Sequence, residues 1–268
     1  MHKSVLIFLI VLFSHSAFAG WILTGRYLDQ NGKTIMQRYF IQDYNVKFEQ
    51  YDIIYTFNLK THTLILVDPV RLLYYKGTIE KYIEGCLRQK NERLQKLMEE
   101  IPADQREEYK TKYSAQFAGF GKPVQVTKDS ISIVPLDDSL KVFGKATDKY
   151  EIRLNNRKAE ELWISPALLI NAQFDWRAFL YFISVLEPDN MPLQYMASNP
   201  YLDLLGTGFP VRRILVFNGY RNDFQINKAE EKVIPGYEFG IPALCKEVPV
   251  SQWINRDQDM NPNYDDYE

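Results

Sequence analysis

The chain has 268 residues, of which 46% are hydrophobic, 25% charged and 14% aromatic, with 18 Tyr and 16 Phe. This is the make-up of a globular protein long enough to bury one sizeable core, and the aromatic share suits β structure. A net charge of −2 gives no electrostatic reason to expect nucleic acid as a partner.

The N-terminus reads as an export signal. Met1-His2-Lys3 carries positive charge, residues 5–13 are an unbroken apolar run, and Ala17-Phe18-Ala19 supplies a small-x-small cleavage site before Gly20. An apolar run of roughly ten residues is too short to cross a bilayer, which needs about twenty. Residues 1–19 are therefore expected to be a cleaved signal peptide, and the mature protein to be periplasmic or secreted. No later run approaches spanning length, so no transmembrane anchor is expected. Cleavage removes His2 and His15 and leaves His62 as the one imidazole. Zinc sites built on two or three histidines are thereby excluded, and any Ser-His-Asp or Cys-His arrangement would have to use His62. That residue lies in Thr61-His62-Thr63, a polar break between apolar runs, and reads as a turn.

The first third of the mature chain alternates strand and turn. Asn31-Gly32 predicts a hairpin between strands at 21–29 and 34–42. Asp43-Tyr44-Asn45 then turns into a strand at 46–51. Ile53, Tyr55, Phe57 and Leu59 alternate with polar residues, the period of a half-buried strand. Short strands at 64–67 and 72–75 flank Asp68-Pro69. With no crossover between them, these strands must pair as an antiparallel meander.

At Thr78 the period changes. Ile79, Tyr82, Ile83, Cys86, Leu87, Leu94, Leu97, Met98 and Ile101 recur at helical spacing until Pro102. Pro102-Ala103-Asp104 opens a second helix with Tyr109, Tyr113 and Phe117 on one stripe. Both stripes are expected to pack on the sheet. Strands resume at 124–127, 130–134, 141–143, 149–154 and 160–164, with a turn at Asn155-Asn156-Arg157. A short helix is predicted over 174–186, then a long Pro/Asn-rich loop, a candidate lid, over 188–200. A late hairpin joins 212–217 to 223–229 over Asn218-Gly219, and 237–242 reads as extended. The predicted fold is α+β: a curved antiparallel sheet or half-open β-barrel with an inserted helical hairpin at about 78–118 and a further short helix. One domain spans 20–255, followed by an acidic, disordered tail at 256–268.

Catalytic candidates are few. Adjacent Asp137 and Asp138 on a strand would point to opposite faces. Gly206-Thr207-Gly208 lacks the strand–turn–helix context of a phosphate loop, and Lys122, Arg212 and Arg213 read as solvated charge. In the tail, Asp257, Asp259, Asn261, Asn263, Asp265 and Glu268 fall at the ligand spacing of a calcium loop. Pro262 stands where such a loop needs glycine, which favours a plain solvating tail. No cofactor is implied. Cys86 and Cys245 are the only cysteines; a disulfide is allowed, and two unpaired thiols are the favoured reading.

The inward side of the sheet carries the functional expectation. If the helices fill its concave side, the result is an ordinary core. If they only plug it in part, it is a pocket for an acyl chain. Phe48, Tyr55, Phe57, Leu66, Tyr74 and Trp163 are the expected ligand-facing side chains.

Lys145-Ala146-Thr147-Asp148-Lys149-Tyr150-Glu151-Ile152, followed by Glu161-Leu162-Trp163-Ile164-Ser165, resembles a phrase of bacterial periplasmic proteins of unknown function. In that first phrase Thr147 stands where a cysteine is often found, and Ile234-Pro235 with Phe239-Gly240-Ile241-Pro242 resembles their closing phrase. The opening meander through Asp68-Pro69 is similar in layout to lipoprotein-carrier (LolA-like) domains. That resemblance implies a half-closed barrel with helices in its mouth, binding acyl chains without catalysis. The implied partners are a lipid or lipoprotein, or else a protein of the cell envelope; a hydrolase built on His62 is the remote alternative.

Overall fold

The computed structural model describes residues 19–28, 33–50, 52–116, 119–122, 128–138, 140–142, 144–186, 193–217 and 220–256. The expected signal peptide up to residue 18, the strand at 124–127 and the tail from residue 257 lie outside these residues. So do the calcium-loop positions Asp257, Asp259, Asn261, Asn263, Asp265 and Glu268.

Six strands open the fold: β1 (Gly20–Leu28), β2 (Thr34–Gln42), β3 (Asn45–Gln50), β4 (Ile53–Asn58), β5 (Thr63–Asp68) and β6 (Leu73–Thr78). Each is antiparallel to the one before, as expected for a meander. The turns use residues that tolerate positive φ or are forced into it: Asp43 and Tyr44 between β2 and β3, and His62 before β5. Thr78 then caps α1 (Ile79–Glu100), its side chain accepting from the Lys81 amide. Helix α2 (Arg106–Gln116) follows the Pro102 break.

The second half of the sheet is built from β7 (Ile131–Leu136), β10 (Asp148–Leu154), β11 (Arg157–Ser165), β12 (Phe209–Phe217) and β13 (Tyr220–Lys232). A small ribbon of β8 (Lys141–Val142) and β9 (Lys145–Ala146) lies between β7 and β10. Between β11 and β12 come a 3-10 turn (Leu169–Gln173), α3 (Trp176–Leu186), α4 (Leu193–Met196) and α5 (Asn199–Gly206). After β13 the chain forms a 3-10 turn (Gly236–Phe239), β14 (Lys246–Glu247) and α6 (Val250–Ile254).

The two halves join into one 12-stranded sheet in the order β14-β6-β5-β4-β3-β2-β1-β13-β12-β11-β10-β7. Every pairing is antiparallel except that of β14 with β6. The seam is β1 against β13, with Gly20 opposite Lys232 and Tyr27 opposite Phe224. The sheet ends at β14 and β7 without closing, which makes it the half-open form. At one end, β14 covers the unpaired backbone of β6: Lys246 and Val248 donate to the Leu72 and Tyr74 carbonyls. Buried Asp68 pins the same corner. Its carboxylate accepts from the Arg71 amide and guanidinium, and the Arg256 Nε lies 3.6 Å away.

Three expectations need correction. Helix α1 buries only Ile79, Gly85 and Cys86, so most of the helical hairpin does not cover the sheet. Its later turns meet α2 instead, where the Tyr113 hydroxyl reaches the Lys90 carbonyl. The first half of the apolar stripe, Ile79, Tyr82, Ile83 and Cys86, packs on the core as expected, and only the second half serves helix–helix contact. The expected loop at 188–200 contains α4 and the start of α5, because Ser198 caps α5 and Pro200 sits in its first turn, where a missing N–H costs nothing. The expected extended stretch at 237–242 begins as the 3-10 turn.

Both cysteines are free thiols, Cys86 buried and Cys245 half-buried. Burial pushes the Cys86 thiol from 9.0 up to about 11. Titration with a thiol reagent at neutral pH should therefore show one reactive cysteine, Cys245, with Cys86 reacting only after denaturant is added. Two fast equivalents in the folded protein would contradict this packing.

Candidate functional site

Period-2 alternation aims one face of β1, β2, β3, β11, β12 and β13 at the helices, and the space between them is incompletely filled. It holds a cavity of about 330 Å³. Leu23, Ile41, Val46 and Ile226 make the sheet side; Phe174, Trp176, Phe179 and Ile183 come from α3 and the residues before it. Helix α3 is held in place by rings. Phe182 stacks on Phe57 at 4.7 Å, Phe179 lies 5.1 Å from Phe174, and Trp176 lies 5.4 Å from Phe209.

A row of rings crosses the sheet at one side of the cavity: Phe224 on β13, Tyr39 on β2, Phe48 on β3 and Tyr55 on β4. Strand β1 lies between β13 and β2, and Gly25 is the reason the row is unbroken. A Cβ there would meet the Phe224 ring at 2.8 Å, so only glycine lets that ring lie across β1 to reach Tyr39.

The polar side of the cavity is a buried cluster that the sequence pattern concealed. Glu160 on β11 is completely buried. Its carboxylate accepts hydrogen bonds from the Tyr195 hydroxyl at 2.6 Å and the Tyr201 hydroxyl at 3.0 Å, and the Arg213 Nε stands 2.9 Å from Oε1. Arg213 Nη2 also points at the Met196 sulfur, 3.2 Å away. Burial and the neighbouring Glu160 carboxylate hold both phenols well above the usual tyrosine range, so they remain donors. Burial opposes the charge of Arg213, but Glu160 and the two phenols outweigh it and raise its pKa. Arg213 and Tyr201 both line the cavity, joined there by Gln37, Gln50 and Asn222.

Among the expected ligand-facing residues, Phe48 lines this cavity and the other five do not. Tyr55 stacks on Phe48 at 5.1 Å. Phe57 and Leu66 are buried in the core beyond the cavity wall. Tyr74 lies on the β6 edge, donating to Glu247. Trp163 is out of phase with Leu162 and Ile164, which pack under the helices. Its ring lies beneath the Lys149 ammonium at 4.7 Å and the Arg212 guanidinium at 4.9 Å.

The expectation that Arg212 and Arg213 are solvated charge is corrected by the same alternation. Arg213 belongs to the cavity face, while Arg212 covers Trp163 and pairs with Asp223 at 2.9 Å. His62 sits on its turn with the ring 3.0 Å from Glu80 and is not part of the cavity wall. Among the described residues there is no cluster of three or more His, Cys, Asp or Glu able to hold a metal ion.

The fold and site together define an α+β protein with a curved, unclosed antiparallel sheet and an apolar cavity beneath its covering helices. No protein-family model matches the chain, and no curated protein matches it. Among solved structures it is similar to an uncharacterized conserved protein from Thermus thermophilus, at 7% identity and a TM-score of 0.42, over 92% of this chain and 99% of that one. It is similar to the MucA/MucB complex of Pseudomonas aeruginosa, at 10% identity and a TM-score of 0.37, over 92% of this chain and 64% of that one. It is also similar to a LolA superfamily protein from Nitrosomonas europaea, at 10% identity and a TM-score of 0.25, over 84% of this chain and 90% of that one.

Proposed function

We propose that this protein is an exported, non-catalytic carrier that holds a hydrophobic ligand, a lipid or lipoprotein acyl chain, in the cell envelope. The observation that carries the reading is unfilled apolar volume: about 330 Å³ between the concave sheet and α3–α5. Protein interiors are packed to the density of organic crystals, so a void of this size in a well-formed core forfeits contacts that a ligand would restore. The export signal read at residues 1–19 supports a carrier that works outside the cytoplasm. No helix among the described residues is long and apolar enough to cross a membrane. Phe48 is the residue of the expected set that we assign to ligand contact. The hydrolase alternative has no support from His62, whose side chain is 45% exposed and bound to Glu80 outside the cavity.

Native mass spectrometry of protein purified from cells, together with binding of the fluorescent probe N-phenyl-1-naphthylamine, tests the reading. Probe binding is expected for the natural protein and should be lost in Leu215→Trp, which fills the cavity from β12. Repeated absence of co-purifying lipid, with no probe binding, would overturn it.

A second reading, an interaction module of the envelope, is favoured by one observation. Val70, Leu72 and Leu244 are 70%, 46% and 80% exposed beside the β6–β14 pairing. Leu72 is held at a φ of 55°, an uncommon conformation for a bulky side chain. Recovery of an envelope protein in pull-downs that Leu72→Ser and Leu244→Ser abolish, without any lipid, would select this reading instead.

A further inference from the structure

The cavity is not uniformly apolar, and its polarity is sorted along its length. The β-sheet registers fix the order. Ile41 faces Val46, Tyr39 faces Phe48, and Gln37 lies level with Gln50, so the wall made by β2 and β3 runs from aliphatic through aromatic to amide. Across the seam the same sequence appears on β13, where Ile226 is followed by Phe224 and then Asn222. Arg213 stands opposite Phe224 on the neighbouring strand, between the apolar and the amide ends. Gln50 and Asn222 are half-exposed, while Leu23, Ile41 and Val46 at the other end are buried. The amide end is therefore the mouth. The series on β13 is displaced along the strands, since Gly25 pairs with Ile226 on one side and Gln37 on the other.

Among the described residues, Arg213 is the one cationic side chain in this wall. Its Nε lies in ion-pair contact with Glu160 and its Nη2 meets a thioether sulfur, a weak acceptor. The Tyr195 hydroxyl is a further hydrogen-bond partner of the guanidinium, and these few contacts do not use all five of its N–H donors. The guanidinium fork thus has one edge anchored in the core and donors left over for the cavity. Glu160 balances the charge of Arg213, but it engages only the Nε edge and leaves donors of the fork for a ligand. A carboxylate arriving from the mouth would meet the remaining donors of the fork in charge-assisted hydrogen bonds. Scale limits the tail: a cavity of about 150 Å³ holds benzene, so about 330 Å³ takes roughly a dozen carbons.

We propose that the cavity selects single-chain carboxylates, with about a dozen carbons buried against the aliphatic end and the carboxylate on Arg213. This rests on the carrier reading and deepens it: the occupant is one fatty-acid-like chain rather than several chains of one lipid.

Calorimetric titration with dodecanoate, 1-dodecanol and octadecanoate tests the assignment. Dodecanoate is expected to bind about tenfold or more tightly than dodecanol, the gain of one charge-assisted contact. Octadecanoate should bind no more tightly than dodecanoate. Single removal of Arg213 would strand Glu160, so the variant to use is the double substitution Glu160→Gln with Arg213→Met, checked for its fold by circular dichroism. In it, dodecanol should bind as before and the preference for the acid should vanish. Arg213→Lys should keep part of that preference. Equal binding of acid and alcohol, or a preference that survives in the double variant, would overturn the head-group assignment and leave the carrier reading standing. If none of the three ligands binds and the naphthylamine probe does not bind either, the carrier reading itself falls.

Discussion

Replacing Glu160 with alanine is expected to cost about 3–5 kcal/mol of unfolding free energy, measured by urea denaturation. The cost follows from what is stranded. Arg213 would remain inside without its carboxylate, and the Tyr195 and Tyr201 hydroxyls would each lose their acceptor. Both tyrosines sit on the short helices α4 and α5, which no long stretch of regular structure holds down, so α4 and α5 should loosen first. Glu160→Gln should cost less, because a neutral amide oxygen still accepts from a phenol. The double substitution with Arg213→Met should recover most of the loss, since exchanging both members of a buried ion pair for neutral groups is often close to neutral in stability. A single-alanine loss below about 1 kcal/mol would mean that water reaches this cluster and that its burial is apparent only.

Phe57→Ala should be equally damaging, about 3–5 kcal/mol, and for a different reason. Phe57 is wholly buried and stacked on Phe182, with Phe48, Tyr55 and Phe179 around it. Its removal takes away the ring on which α3 rests and leaves a void beside a cavity that is already present. The two voids would merge, so the variant should be less stable yet bind a bulkier probe. Denaturant midpoints report the first effect, and a comparison of naphthylamine with larger dyes reports the second. Phe57→Leu, which keeps most of the volume, should lose less than half as much.

Much of the sheet was legible in sequence because hairpins are local. Asp43-Tyr44 and Asn155-Asn156 mark their turns, and Ile53, Tyr55 and Phe57 show period 2 without help from distant residues. The long first helix announced itself at Thr78 for the same reason. What could not be read was which helix covers the cavity. Leu94, Leu97 and Met98 make as good a stripe as Phe179, Phe182 and Val185, and only the tertiary arrangement decides that the second set faces the sheet. The polar cluster was missed because Glu160-Glu161 and Arg212-Arg213 look like paired surface charges. The signal was nevertheless present: Glu160 shares its phase with Leu162 and Ile164, and Arg213 with Val211 and Leu215. Tyr195 and Tyr201 lie in a stretch rich in Pro and Asn, where loop chemistry masked two short helices.

The seam between β1 and β13 sets the order in which this molecule can be assembled. Strand β1 is made long before β13, and it can take β2 as a neighbour at once. Its other flank stays a bare row of amides and carbonyls until the strand carrying Lys232 has been made. Until then the middle of the finished sheet is a sticky margin, of the kind that recruits foreign strands. Such distant pairing also makes for slow closure. Truncation before β13 should therefore yield aggregate rather than a smaller folded half, which solubility of the truncated chain checks.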